Sequence, residues 1–298
     1  MGAPSFFLGI ETVSRGDGLF LSQQRYMRDI LSRAGMVDCK PLATPVPVTR
    51  PVSESVVPYA DPTQYRSLAG ALQYLTVTRP DLSFAANRVC QHMHSPTTEH
   101  WAMLKRVLQY VKGTLHFGLF IRPSSSVAVH AFSDSDWAGD PADRKSTSGF
   151  AVFLGDNLIS WSCRKQRTIA RSSTEAEYKA LADVSAEVTW LVSLLHELRL
   201  PLAAPPTLWC DNLVAKKELQ VSFISTKNQL ADVFTKALPG PRFSTLCGKL
   251  NVTYYLIHSE ILYPHHDNGG QKTHDGEAVE VVPETPLEAM VEDVARPE

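Results

Sequence analysis

The sequence predicts an α/β fold in which a mainly helical first part leads into five short strands with flanking helices. Three observations carry that reading. Val127, Val129, Ala131 and Phe132 make a short apolar run of strand type that stops at Asp134 and Asp136. Phe150 to Leu154 and Leu158 to Ser162 flank the turn Gly155-Asp156-Asn157 and read as a hairpin. Thr174 to Leu200 has the period of an amphipathic helix, with Ala180, Leu181, Val184, Val188, Leu191, Leu195 and Leu198 toward the core, and Pro201 ends it.

In chain order, Phe6 to Ile10 reads as a strand, with Leu19 to Leu21 as its hairpin partner across Arg15 to Gly18. Ser22 opens a helix that turns Tyr26, Ile30, Leu31 and Ala34 inward and stops at Gly35. Arg25, Arg28 and Arg33 lie off that face; a solvated surface is the plainer account of them, nucleic-acid contact the sharper one. Pro41 to Pro62 is rich in proline and reads as an extended linker. Helical spacing follows over 64–75 and 82–93, and Ser95-Pro96 begins a third helix with Trp101, Leu104, Val107, Leu108 and Val111 on one face. Thr207 to Cys210 and Leu219 to Ile224 are the fourth and fifth strands of the second part, closed by a short helix over Asn228 to Lys236. From Asp267 the chain is too polar to fold alone, and His258, His265, His266 and His274 in the tail after about Val252 are assigned no metal. The expected divisions are therefore 1–40, a linker at 41–62, a helical segment at 63–126, a main domain at 127–251, and a disordered acidic tail at 252–298.

The 298 residues, 44% hydrophobic and 20% charged, suit one or two ordinary domains. A formal net charge of −2 gives no overall pull toward nucleic acid, so any surface for a polyanion must be local. Five scattered cysteines without a Cys-x-x-Cys pair indicate neither a disulfide framework nor a zinc site, and point to a reducing intracellular compartment, cytoplasmic or nuclear. No apolar run reaches membrane-spanning length, so no membrane partner is expected.

Asp134 ends a strand, Glu177 stands near a helix start, Asp211 ends the run Thr207 to Cys210, and Asp232 precedes Val233-Phe234-Thr235-Lys236. Four such acids can meet in one magnesium cluster, because hard divalent cations take carboxylate oxygens. Each also has a plainer role: Asp134 as a turn former, Thr174-x-x-Glu177 as a capping box, Asp211 as a cap, and Asp232 as a first-turn charge on a helix dipole. Trp137, Trp161 and Trp209 are expected in the core.

The ordered set Asp134-Ser-Asp136-Trp-Ala-Gly139, Arg144-Lys-Ser-Thr-Ser-Gly149, Ile159-Ser-Trp161-Ser, Ser172-Ser-Thr-Glu175-Ala-Glu177-Tyr178, Cys210-Asp211-Asn212 and the Asp232 segment resembles the ribonuclease H domain of copia-type retrotransposon polyproteins. Phe6-Phe-Leu-Gly-Ile10, Leu21-Ser-Gln-Gln-Arg-Tyr26, Tyr65 to Tyr74 and Thr78-Arg-Pro-Asp81 resemble the end of the reverse transcriptase in the same polyproteins, the thumb and connection. The paired-aspartate polymerase motif is absent, so no DNA synthesis is expected. The resemblance implies a ribonuclease H-like mixed five-stranded sheet and cleavage of the RNA strand of an RNA:DNA hybrid with Mg2+ or Mn2+. Two cations about 4 Å apart would be held by Asp134 as the bridge, Glu177 and Asp211 on one, and Asp232 on the other. Arg171, Ser172 and Ser173 would meet phosphate oxygens.

One departure from that pattern shapes the expectations. In the family, Cys-Asp-Asn leads into a full helix and a histidine-containing segment before the fifth strand, whereas here only Asn212 to Glu218 intervene. Parallel neighbours normally need a dozen or more connecting residues. Seven extended residues reach roughly 23 to 25 Å, against a strand of about 17 to 20 Å. Either the link closes and leaves a sheet face bare, or the fifth strand folds back as a hairpin and carries Asp232 away from Asp134. The alternative to an enzyme is a non-catalytic retrotransposon remnant with at most nucleic-acid binding.

Overall fold

A computed structural model describes residues 6–49, 57–211 and 220–255; the shortened connection at 212–218 and the acidic stretch beyond residue 255 lie outside them. The described residues form two five-stranded sheets and seven α-helices. None of those helices is long and apolar enough to cross a membrane.

The first sheet is antiparallel throughout. It contains β1 (Phe6–Phe7), β2 (Ile10–Arg15), β3 (Gly18–Ser22), β4 (Phe117–Ile121) and a last strand, β10 (Val252–Tyr254), in the order β1-β2-β3-β4-β10. The partner of the Leu19 segment is Ile10–Arg15, not Phe6 to Ile10, because only Gly16 and Asp17 separate the paired ends and a two-residue turn closes a hairpin best. The first part is thus mainly helical, as expected, but its described residues also carry four short strands. Its strand β4 is apolar without alternation and finds both partners far away in sequence, at Leu19–Leu21 and at Val252–Tyr254. Gly118 permits that approach, since a Cβ there would lie 2.2 Å from the Leu21 carbonyl oxygen. Pairing of β10 with β4 also means that residue 252 continues the fold, where a tail was expected to begin.

Beside this sheet stand α1 (Gln24–Arg33), α2 (Pro62–Leu75), α3 (Ser83–Cys90) and α4 (Thr98–Gly113). Asp61 caps α2 by accepting from the Gln64 N–H, with Pro62 in the first turn, where its missing N–H costs nothing. Between α2 and α3 lies an ion pair with no exposure at all. Arg79 grips both oxygens of Asp81 at 2.9 and 2.7 Å and donates to the carbonyl and hydroxyl oxygens of Thr114. The Tyr110 hydroxyl donates to Asp81 at 2.7 Å, so α2, α3 and α4 are tied by one satisfied polar knot.

The second sheet comprises β5 (Val129–Asp136), β6 (Thr147–Leu154), β7 (Asn157–Lys165), β8 (Thr207–Cys210) and β9 (Gln220–Phe223), in the order β7-β6-β5-β8-β9. The strands β5, β6 and β7 are antiparallel, whereas β8 runs parallel to β5 and β9 parallel to β8. The hairpin alternative for the fifth strand is therefore overturned: Thr207 pairs with Gln220 and Cys210 with Phe223, in parallel. Side chains alternate across the sheet with period two. Val129, Ala131, Val152 and Leu208 pack against α5 (Ser173–Glu197) through Leu181, Val184, Val188 and Leu191. Phe132, Ala151, Phe153 and Trp209 face the other way, into a core shared with α1 to α4. The face turned away from α5 is covered by the chain's own first part, whereas Phe223, paired with Cys210 on the outer strand and in period with the α5-facing Val221, remains exposed. Leu198, expected in the core, lies just past the end of α5 and is exposed. Two further helices, α6 (Asp232–Thr235) and α7 (Gly240–Lys249), pack on the shared core through Phe234, Phe243 and Leu246.

Replacing Arg79 by Leu strands a buried Asp81 carboxylate, and urea denaturation should show a loss of about 3 to 5 kcal/mol. The double change Arg79→Leu with Asp81→Leu should restore most of it, since both charges then leave the interior. Equal losses for the single and double variants would contradict a paired-charge role.

Candidate active site at the strand ends

Parallel pairing of Phe132 with Trp209 sets the register of β5 against β8. Two residues further on, the chain reaches Asp134 and Asp211, which this register brings side by side. Glu177, on the second turn of α5, comes to the same place, because Gln166 anchors that end of the helix: its Nε2 donates to the Ala176 carbonyl at 3.0 Å and to Ser148 Oγ at 2.9 Å. Carboxylate oxygens of Asp134, Glu177 and Asp211 lie within 4.8 Å of one another, a spacing that one metal ion can span. Asp134 is fully buried and Glu177 nearly so.

Several partners of these acids are absent in an informative way. Glu177 Oε1 accepts from the Ser135 N–H at 3.0 Å, but among the described residues buried Oε2 has no hydrogen-bond partner, and neither does Asp211 Oδ1. Buried oxygens without donors are costly, and an acid set of this kind suits a hard divalent cation. The capping role is taken elsewhere: Ser172 Oγ accepts from the Glu175 N–H at 3.1 Å, and Glu175 accepts from the Arg171 N–H at 2.8 Å. Ser172, not Thr174, is the cap, and Glu177 is free for the cluster. Arg171, Ser172 and Ser173 stand exposed at the start of α5, with Ser172 engaged by the cap.

Asp232 stands differently. Its carboxylate, buried at the first turn of α6, is ion-paired with Lys236 Nζ at 2.6 Å and with Arg242 of α7. Lys236 Nζ also reaches Asp134 Oδ1 at 3.1 Å, so the ammonium bridges the two acids, while Thr235 Oγ1 donates to Asp134 Oδ2. This fit requires Gly149, which pairs with Asp134 on β6: a Cβ there would lie 2.5 Å from Phe234 Cβ and would push α6 off the sheet. Thr235, Lys236 and Gly149 stand inside motifs legible in the sequence, but their part in the site, like that of Arg242, is given only by the fold. The Asp232 to Lys236 spacing of four was a legible helical pair; nothing local announces Arg242. Trp137, expected in the core, is half exposed, because it follows the last residue of β5 and hangs from the Ala170 carbonyl by its indole N–H at 3.1 Å.

The electrostatics follow from crowding. Burial, then the neighbouring Asp134 and Asp211, pushes the Glu177 carboxyl up to about 8. Burial and Asp134 also raise Asp211. Asp232 is raised by burial and Asp134 against the downward pull of Lys236 and Arg242. Asp136 beside them rises to about 6 through burial, opposed by the Thr147 N–H it accepts from.

Comparison with known proteins places the chain. It is 43% identical over 276 residues to the retrovirus-related Pol polyprotein from transposon RE2 of Arabidopsis thaliana, covering 83% of this chain and 19% of that protein. It is 55% identical over 190 residues to the uncharacterized mitochondrial protein AtMg00810 of the same plant, 64% of this chain and 79% of that one. The chain belongs to the copia-type retrotransposon Pol polyprotein family. A further copia-type relative, the Pol polyprotein from transposon TNT 1-94 of Nicotiana tabacum, is 30% identical over 288 residues, 84% of this chain and 22% of its own length. The chain thus spans about a fifth of the length of the Pol polyproteins it matches. No family model matches it, and no solved structure does.

A raised carboxyl has a definite linkage. Between the ordinary glutamate range and about pH 8, the folded copia-type chain keeps a proton on Glu177 that the unfolded chain has lost, so metal-free stability falls as pH rises through that window. Carbon-13 NMR of the labelled Glu177 carboxyl should show a midpoint well above the ordinary value, moved down by Mg2+. A midpoint in the ordinary range without metal would contradict the crowding described.

Proposed function

We propose that this copia-type chain is a ribonuclease H-like endonuclease that cleaves the RNA strand of RNA:DNA hybrids with Mg2+ or Mn2+. The observation that carries the reading is the convergence of Asp134, Glu177 and Asp211 at the adjoining ends of β5, α5 and β8, with oxygens of Glu177 and Asp211 left without donors among the described residues. The mixed sheet, three antiparallel strands continued by two parallel ones with a long helix on one face, is the arrangement the resemblance implies.

A divalent cation bound by these carboxylates supplies Lewis-acid activation of water and neutralises charge on the leaving oxygen. The chain's own contribution is to hold the three acids in register and to exclude bulk water from Asp134. Lys236 and Arg242 keep positive charge at the same end of the sheet, where a phosphate must approach.

Room for a strand lies alongside. A cavity of about 900 Å3 runs between α3, α4 and the loop after β5, with Arg88, His92, His100, Arg106, Phe84 and Asp136 in its walls. His92 and His100 stack at 3.6 Å, and burial lowers His92 to about 4, so the positive charge at neutral pH rests on the two arginines. Such a groove meets a hybrid through phosphates and shape, which carry no base sequence.

The test is cleavage of an end-labelled hybrid in magnesium, comparing the chain with Asp134→Asn. The chain should cut the RNA strand of the hybrid and leave single-stranded RNA and duplex DNA intact, and the variant should fall to background. Equal rates for both proteins would reject the enzyme and leave the non-catalytic remnant.

A further inference from the structure

We propose that Lys236 is a built-in cation that occupies the second ion position, so that the chain binds one divalent ion, at Asp134, Glu177 and Asp211. The inference rests on the cation-dependent reading of the site and narrows it: Asp232, which the family resemblance gives to a second ion, is here a counter-charge that holds a lysine.

Three features of the geometry lead there. First, the oxygens that a second ion would need are already bridged. Lys236 Nζ lies 3.1 Å from Asp134 Oδ1 and 2.6 Å from Asp232 Oδ1, and the other oxygen of Asp232 is paired with Arg242. An ion bound by the same two oxygens would sit about 2.0 to 2.1 Å from each, within the volume of the ammonium. Second, the lysine is held at its base. It closes α6, its N–H donates to the Asp232 carbonyl at 3.0 Å, and α6 is docked on β6 at Gly149. The docked backbone sets Nζ within reach of both acids, and the two ion pairs offset the side-chain entropy lost on bridging them. Third, the two sides of Asp134 differ in saturation. Toward Glu177 and Asp211 there are buried oxygens without donors among the described residues, whereas toward Asp232 both oxygens of Asp232 and Oδ1 of Asp134 have a cationic partner and Oδ2 of Asp134 accepts from the Thr235 hydroxyl. One side calls for an ion, and the other has its charge in place.

An ammonium cannot deliver an activated water, but it can neutralise an oxygen, which assigns the two halves of the site different work. The Glu177 side holds the exchangeable ion. The Asp232 side presents a fixed monovalent charge to the reacting phosphate.

The experiment counts bound Mn2+ per chain by electron paramagnetic resonance, without substrate, for the wild type, Lys236→Met, Lys236→Arg and Asp134→Asn, each checked for folding by its thermal transition. The expected result is one ion for the wild type and for Lys236→Arg, two for Lys236→Met, and none for Asp134→Asn. Two ions of similar affinity on the wild type, or a folded Lys236→Met that still binds one, would overturn the inference and leave the cation-dependent reading standing. No binding by either the wild type or Lys236→Met would remove that reading and this inference together.

Discussion

Bringing carboxylates together away from water is the constraint to which this structure answers. Asp134 has no exposure, Glu177 has little, and their oxygens lie with one of Asp211 inside a span of 4.8 Å. Like charges so placed resist ionisation, which is why burial and mutual repulsion raise Glu177 and Asp211. Cations relieve the repulsion from one side through Lys236 and Arg242. On the opposite side, oxygens of Glu177 and Asp211 have no partner among the described residues, and it is there that the proposed metal ion would bind.

The surrounding fold is arranged to keep this cluster dry and in register. The second sheet is covered on one face by α5 and on the other by a core that runs continuously into α1 to α4 and α7. Phe132 and Trp209, the pair that sets the register of β5 and β8, belong to that shared core. The segment before residue 127 is therefore more than an appendage: it shields the sheet face opposite α5. The buried Arg79 and Asp81 knot ties α2, α3 and α4 beneath it.

Much of this was legible in the sequence wherever structure is local. Helical spacing over 64–75, after Ser95-Pro96 and over Thr174 to Leu200 anticipated the helices Pro62–Leu75, Thr98–Gly113 and Ser173–Glu197 to within a few residues, and the turn Gly155-Asp156-Asn157 gave the β6 and β7 pair. The acids Asp134, Glu177 and Asp211 stood at element ends, where polar groups leave the core, and the structure unites them. What was not legible depends on contacts distant in sequence. The strands Phe117–Ile121 and Val252–Tyr254 pair with each other across the whole second sheet, and no local period marks either. Arg242 meets Asp232 only because α7 folds back against α6. The position of Trp137 was misjudged because an aromatic residue after an apolar run looks like its continuation, while the strand has already ended.

The central claim is that three acids from separate elements hold one divalent ion while Lys236 holds the fourth. Anomalous scattering from crystals grown in Mn2+ addresses it most directly. The account predicts a single peak within coordination distance of Asp134, Glu177 and Asp211, with Lys236 Nζ still between Asp134 and Asp232. A map without a peak on those three carboxylates would contradict it.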